Sequence, residues 1–165
     1  LTWFALVMTL PKQMNRERYY IGVDPGGSGS ICEISADGSA SVITKADESY
    51  SHIWDKLFQP RFDNSVAVIE SVHAMPGQGV ASTFRFGQSF GMLLAMLTAA
   101  GIPYVKVTPA VWCKEFKLKR KEGESNTDWK NRHKQLAQEL FPDVDVTHAT
   151  ADALLIAEYC RRTNK

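Results

Sequence analysis

Short apolar runs, punctuated by glycine, proline and acidic turns, organise this chain, and their periods predict its elements. Tyr19–Val23 is an apolar run that stops at Asp24-Pro25-Gly26-Gly27 and reads as a buried strand. Ser30–Ser35 and Ala40–Thr44 read as a second and a third strand, joined by a hairpin turn at Asp37-Gly38. Ser51–Phe58 carries Ile53, Trp54, Leu57 and Phe58 at helical spacing. Ser65–Ile69 is β-branched and almost continuously apolar, the pattern of a central strand covered on both faces, and it ends at Glu70. A Gly/Pro loop, His73–Gly79, follows it.

Thr83–Ala100 is rich in Phe, Met, Leu and Ala and reads as a helix stopped by Gly101. Tyr104–Val107 is a fifth strand, and Pro109 opens a short helix through Phe116. After a polar loop at Glu122–Asn126, Asp128–Leu140 is a helix stopped by Pro142, and Thr147–Arg162 is a last helix capped by Thr147. A strand meander followed by strands alternating with helices predicts an α/β domain, a five-stranded mixed sheet flanked by helices.

Composition narrows this picture without changing it. With 165 residues, 44% hydrophobic and 22% charged, the chain supports one well-buried core and is neither disordered nor fibrous. The reading is therefore a single domain over residues 19–165, preceded by an N-terminal extension over 1–18 in which Met14 is an alternative start. No apolar run reaches the ~20 residues of a membrane span, so no membrane partner is expected. Cys32, Cys113 and Cys160 are an odd number, widely spaced and without a C-x-x-C pair. That argues for a reducing compartment such as the cytoplasm of a bacterial or phage-infected cell, or an organelle interior.

A net charge of +1 says little about partners, but its distribution says more. Between Lys106 and Lys134 nine basic residues stand against four acids, so the rest of the chain is net acidic. A phosphate-binding face and a separate carboxylate site are the functional reading of this split, and a solvated charged loop is the plain one.

The carboxylates supply the chemistry. Asp24 ends the first strand, Glu70 ends the fourth, and Asp152 lies inside the apolar helix segment Ala151–Ala157. An unpaired buried carboxylate costs several kcal/mol, so Asp152 must cap or coordinate something. His148, four residues earlier, projects from the same helix face. Three carboxylates and an imidazole suffice to hold one or two divalent cations, Mg²⁺ or Mn²⁺ rather than zinc. Two such cations support phosphodiester hydrolysis. Taken singly, each residue has an ordinary structural alternative, such as an Asx turn for Asp24 or a helix cap for His148.

Three segments carry a family resemblance. Ile21-Gly22-Val23-Asp24-Pro25-Gly26, Val68-Ile69-Glu70 with its glycine-rich sequel, and Ala151-Asp152-Ala153-Leu154-Leu155-Ile156-Ala157 together resemble RuvC-type Holliday-junction resolvases. The phage and plant-chloroplast branch is the nearest, because Glu70–Gly79, Phe86–Gly91 and Val107–Trp112 also look familiar there. The likeness spans about Tyr19 to Arg162. It implies an RNase H-like fold, a homodimer, and paired nicking of four-way junction DNA with Mg²⁺ (or Mn²⁺), two ions per site.

Carried over by motif, Asp24, Glu70 and Asp152 would be metal ligands. Many members place a second Asp three residues before the helix Asp; here Ala149 stands there and His148 precedes it. In the nearest branch a histidine takes this role, which implies His148 as a ligand or proton-transfer group. Lys130 resembles a lysine that approaches the scissile phosphate.

The same resemblance places the His73–Gly79 loop in the junction core, with His73, Met75 and Gln78 as DNA contacts. Arg85, Lys114, Lys117, Lys119, Arg120, Lys121 and Lys134 are the candidate phosphate contacts. Apolar residues surround the axis of the Thr83–Ala100 helix, so Phe86, Phe90, Leu93, Leu94 and Leu97 are candidate dimer contacts. An RNase H-like nuclease acting on structured RNA or other branched DNA, and a junction-binding protein without catalysis, are the competing readings.

Overall fold

The computed structural model describes residues 17–45, 48–73, 77 and 79–164. Among them run β1 (Tyr19–Val23), β2 (Ser30–Ser35), β3 (Ala40–Lys45), α1 (Tyr50–Leu57), a 3-10 turn (Pro60–Asn64), β4 (Ser65–Glu70), α2 (Val80–Ala99), β5 (Tyr104–Val107), α3 (Pro109–Glu115), α4 (Asn126–Leu140) and α5 (His148–Thr163). The N-terminal extension lies outside the described residues except for its last two positions.

The strands form one mixed sheet in the order β3-β2-β1-β4-β5. β2 pairs antiparallel with β1 and β3, whereas β4 runs parallel to β1 and β5. The meander needs only tight turns, and the parallel strands are reached through helices, as parallel pairing requires. β4 lies inside the sheet between β1 and β5, and Ala67, Val68 and Ile69 are fully buried, as a near-continuous apolar run requires.

Alternation along the strands sends side chains to two cores. Ile21, Val23, Ile43 and Ile69 meet α1 and α2 through Ile53, Leu57, Leu93, Met96 and Leu97 on one face. Tyr20, Cys32, Ile34 and Val68 meet α3, α4 and α5 on the other. Here Gly22 is decisive: a Cβ on it would stand 2.1 Å from the Ala153 carbonyl oxygen and 2.2 Å from the Ala157 nitrogen. The absent side chain, facing two alanines one turn apart, seats the α5 backbone directly on β1.

Several boundaries differ from the sequence expectation, and capping explains two of them. The Ser125 hydroxyl accepts the Asp128 N–H, so α4 starts at Asn126. The Ser49 hydroxyl likewise caps α1, which therefore starts at Tyr50. α2 begins three residues early, immediately after Gly79. All three cysteines are buried and free.

One expectation needs correction. Leu93 and Leu97, assigned from sequence to a dimer interface, are 7% and 1% exposed and pack against the sheet of their own subunit. Phe90 and Leu94 are half-buried against the same core. The outward apolar residues of α2 are instead Val80, Phe84 and Met92.

Candidate active site

The parallel pairing of β1 with β4 brings two carboxylates to one edge. Val23 is in register with Ile69, so Asp24 and Glu70 leave neighbouring strands at the same level. This is the carboxyl end of parallel strands, where open α/β sheets gather their ligands. Asp152 arrives from above. Its neighbour Ala153 rests on Gly22, and the Ser30 hydroxyl donates to the Ala149 carbonyl at 3.0 Å, fixing the first turn of α5 over β2.

Each carboxylate is held locally. Asp24 Oδ1 accepts the Gly26 N–H at 2.9 Å, and the Asp24 N–H donates to the Ser30 carbonyl at 3.0 Å. The loop closes this tightly because Gly29 has no side chain; a Cβ there would stand 2.1 Å from the Asp24 carbonyl oxygen. Glu70 Oε2 accepts the indole N–H of the buried Trp112 at 3.0 Å. Asp152 Oδ1 lies 2.6 Å from Nδ1 of His133.

The three charges oppose one another. Burial pushes the Asp24 carboxyl up to about 6; the Gly26 N–H and Lys130 draw it down, and Asp152 raises it. Burial pushes Glu70 up to about 7, with Asp24 and Asp152 adding to the rise and the Trp112 N–H opposing it. Asp24 and Glu70, both buried and both reluctant to ionise, have too little positive charge beside them to offset that burial. A divalent cation would meet that need, and an all-oxygen donor set would suit Mg²⁺ or Mn²⁺. Among the described residues no group of three His, Cys, Asp or Glu side chains is placed to hold a metal ion; the carboxylates turn toward Gly26, Trp112 and His133 instead.

The remaining candidates fall into distinct places. Lys130, exposed on α4, is close enough to act on Asp24. His148 is exposed at the start of α5, and its Nε2 lies 2.8 Å from Asn131 Oδ1. His73 and Arg85 are exposed, whereas Met75 and Gln78 lie outside the described residues. Lys114, Lys117, Lys119 and Lys121 are exposed along α3 and the following loop, and Lys134 is half-buried on α4. Arg120 is committed within that loop, donating to the Glu124 carbonyl at 3.2 Å and to Asn126.

Two residues of the site escaped the sequence reading. Trp112 is joined to Glu70 across 42 positions, a pairing no local pattern announces. His133 left a usable signal. It follows Trp129 and precedes Ala137 at four-residue steps, on the inward stripe of an otherwise polar helix.

The five-stranded mixed sheet with helices on both faces is an α/β fold of the RNase H-like kind seen in solved RuvC structures. Solved structures share it at low identity. T. thermophilus RuvC in complex with a Holliday junction substrate is 14% identical, with a TM-score of 0.57 over 88% of this chain and 96% of that one. A Thermus thermophilus RuvC structure is 13% identical, with a TM-score of 0.52 over 89% and 97%. No family model and no curated protein matches the chain. Among the described residues no helix is long and apolar enough to cross a membrane.

Proposed function

We propose that this chain is a metal-dependent endonuclease that resolves four-way DNA junctions by paired phosphodiester hydrolysis. The observation that carries the reading is the placement of Asp24 and Glu70 at the carboxyl ends of the paired strands β1 and β4, with Asp152 of α5 close enough to act on both. A protein that only binds phosphates gains nothing from concentrating buried negative charge. The RuvC-type fold and the junction substrate held by one structural neighbour add to this support.

Asp24, Glu70 and Asp152 would hold Mg²⁺ or Mn²⁺, two ions per site, with His148 as a further ligand or proton-transfer group. Ions held by these residues would supply Lewis acidity for phosphodiester hydrolysis. Lys130 approaches the phosphate from α4 and offsets charge on its oxygens. Trp112 orients Glu70, and His133 orients Asp152. The loop from His73 to Gly79 enters the junction centre, and lysines of α3 and the loop beyond it grip the backbone. Two copies, paired through α2, address the two matched strands of the junction.

The test is incubation with labelled mobile and immobile junctions in Mg²⁺ or Mn²⁺, with nicks mapped on all strands. Symmetric nicks on opposing strands are expected, and Asp24→Asn is expected to bind the junction without cutting it. Full cleavage by that variant would refute the assignment. Preferential cleavage of structured RNA would move the substrate class while keeping the chemistry.

A further inference from the structure

We propose that a cavity of about 670 Å³ between α3 and α4 is a subsite for one unpaired nucleotide of the nucleic-acid substrate, an inference that rests on the nuclease reading above. Its floor is apolar, built from Pro109, Ala110, Leu118 and Trp129. Lys114, Lys117 and Lys119 also line it, all exposed, and among the described residues none has an ion-pair partner. The two arginines here are held elsewhere: Arg120, also in the lining, donates to the Glu124 backbone carbonyl and to Asn126, and Arg132 is ion-paired with Glu124 at 2.9 Å. An apolar floor with three unpaired ammonium groups complements a ligand that is flat and apolar in one part and anionic in another, as a nucleotide is.

The cavity is also joined to the carboxylates from both sides. Cys113, in its wall, follows Trp112, whose indole N–H holds Glu70. Trp129, in its floor, lies against His133 with ring centroids 4.3 Å apart, and His133 holds Asp152. Cys113 is also close enough to feel the charges of Asp152 and Glu70, so the cavity borders the carboxylates.

Lys117 supplies an independent sign. Its φ is 54°, and among the described residues it is the one non-glycine in the left-handed region. It follows the α3 C-cap Phe116; the Lys117 N–H donates to the Lys114 carbonyl and the Leu118 N–H to the Cys113 carbonyl. That is the helix-terminating geometry in which glycine is the favoured residue. A lysine kept there carries backbone strain, and the rim of a phosphate subsite gives its ammonium group a use.

The test uses the full chain in EDTA, so that nothing is cut, and measures anisotropy with labelled short oligothymidylate and an abasic oligomer of equal length. The wild type is expected to prefer thymidylate about tenfold. Ala110→Glu places a carboxylate on the floor from an exposed position in the first turn of α3, and is expected to abolish that preference. Lys117→Gly is expected to weaken both probes severalfold and reduce the salt dependence by about one phosphate contact, with a melting temperature equal to or above wild type. A merely structural Lys117 would give the higher melting temperature with affinity unchanged. Equal binding of both probes by the wild type, a preference surviving Ala110→Glu, or affinity surviving Lys117→Gly overturns the subsite and leaves the cavity to a protein partner. Loss of the nuclease reading is separate: it shows as no junction cleavage in Mg²⁺ while the preference for thymidylate persists.

Discussion

His133 Nδ1 stands 2.6 Å from Asp152 Oδ1, and the histidine is buried while the carboxylate is partly open. An ionised Asp152 can only accept, so Nδ1 is the donor, and among the described residues the buried Nε2 has no hydrogen-bond partner. Trp112 and Trp129 pack edge-on against the imidazole, so its orientation is set by packing. A histidine locked in this way fixes one oxygen of Asp152 and leaves the other free of that contact.

His133→Ala is accordingly expected to weaken divalent-cation affinity about 10–100-fold, whereas His133→Asn, which keeps a donor near the Nδ1 position, retains most of it. Calorimetric titration with Mn²⁺ on folded variants measures this. Equal affinity in the alanine and asparagine variants would mean that the histidine only fills space.

Asp24 and Glu70 make stability depend on pH in a direction opposite to ordinary surface acids. Both bind a proton more tightly in the folded chain, with values moved from 3.8 to about 6 and from 4.5 to about 7. Their contribution is therefore full in acid, below the unfolded values, and is lost as pH rises through the folded ones. At about 1.4 kcal/mol per unit, Asp24→Asn should stabilise the metal-free chain by on the order of 1–3 kcal/mol at about pH 8 and by little near pH 4. Melting curves in EDTA across that range measure the difference between variant and wild type. Mg²⁺ should raise the wild-type midpoint at the upper end and leave the variant's unchanged. Parallel pH profiles would contradict the electrostatic account.

Much of this was legible in the chain because strand ends announce themselves. Asp24 before a glycine turn and Glu70 after a β-branched run needed only local pattern, and the bounds of β1, β2 and β5 follow the same signals. The partners of the acids did not, since Trp112 and His133 meet them only through packing of α3, α4 and α5 on the sheet. α2 misled for a related reason: an all-round apolar helix does not say which side faces its own sheet. Leu93, Met96 and Leu97 take that side, and Phe84 does not.

Gly22 tests whether the seating of α5 on β1 sets the geometry. The atoms a methyl group would meet are backbone, the Ala153 carbonyl oxygen and the Ala157 nitrogen, so no side chain can turn away to make room. Gly22→Ala must lift α5 from the sheet or unfold it, at a cost of about 3 kcal/mol or more. Chemical denaturation should show this loss. Ala153→Gly leaves the facing carbonyl in place and should not restore stability. A variant as stable as wild type would mean that the helix is not held against the strand as described.

If two copies act together as proposed, the outward side of α2 is where they would meet. Val80, Phe84, Gly87 and Gly91 recur at helical spacing along one stripe. Phe84 is 73% exposed and Val80 88%, and a Cβ on either glycine would meet nothing within 4 Å. An apolar stripe with a flat, side-chain-free centre allows a second α2 to approach closely, and a two-fold axis through it would present equal sites to opposing strands. Phe84→Glu should therefore give monomers at concentrations where the wild type sediments as a dimer, with little change in melting temperature because the residue touches little of its own subunit. Phe90→Glu should lower the melting temperature as well, since Phe90 is half-buried on the core. On a four-way junction the Phe84→Glu monomer should leave single nicks where the dimer leaves pairs. A wild-type chain that sediments as a monomer, or paired nicking by the monomeric variant, would sever α2 from the coordination of the cuts.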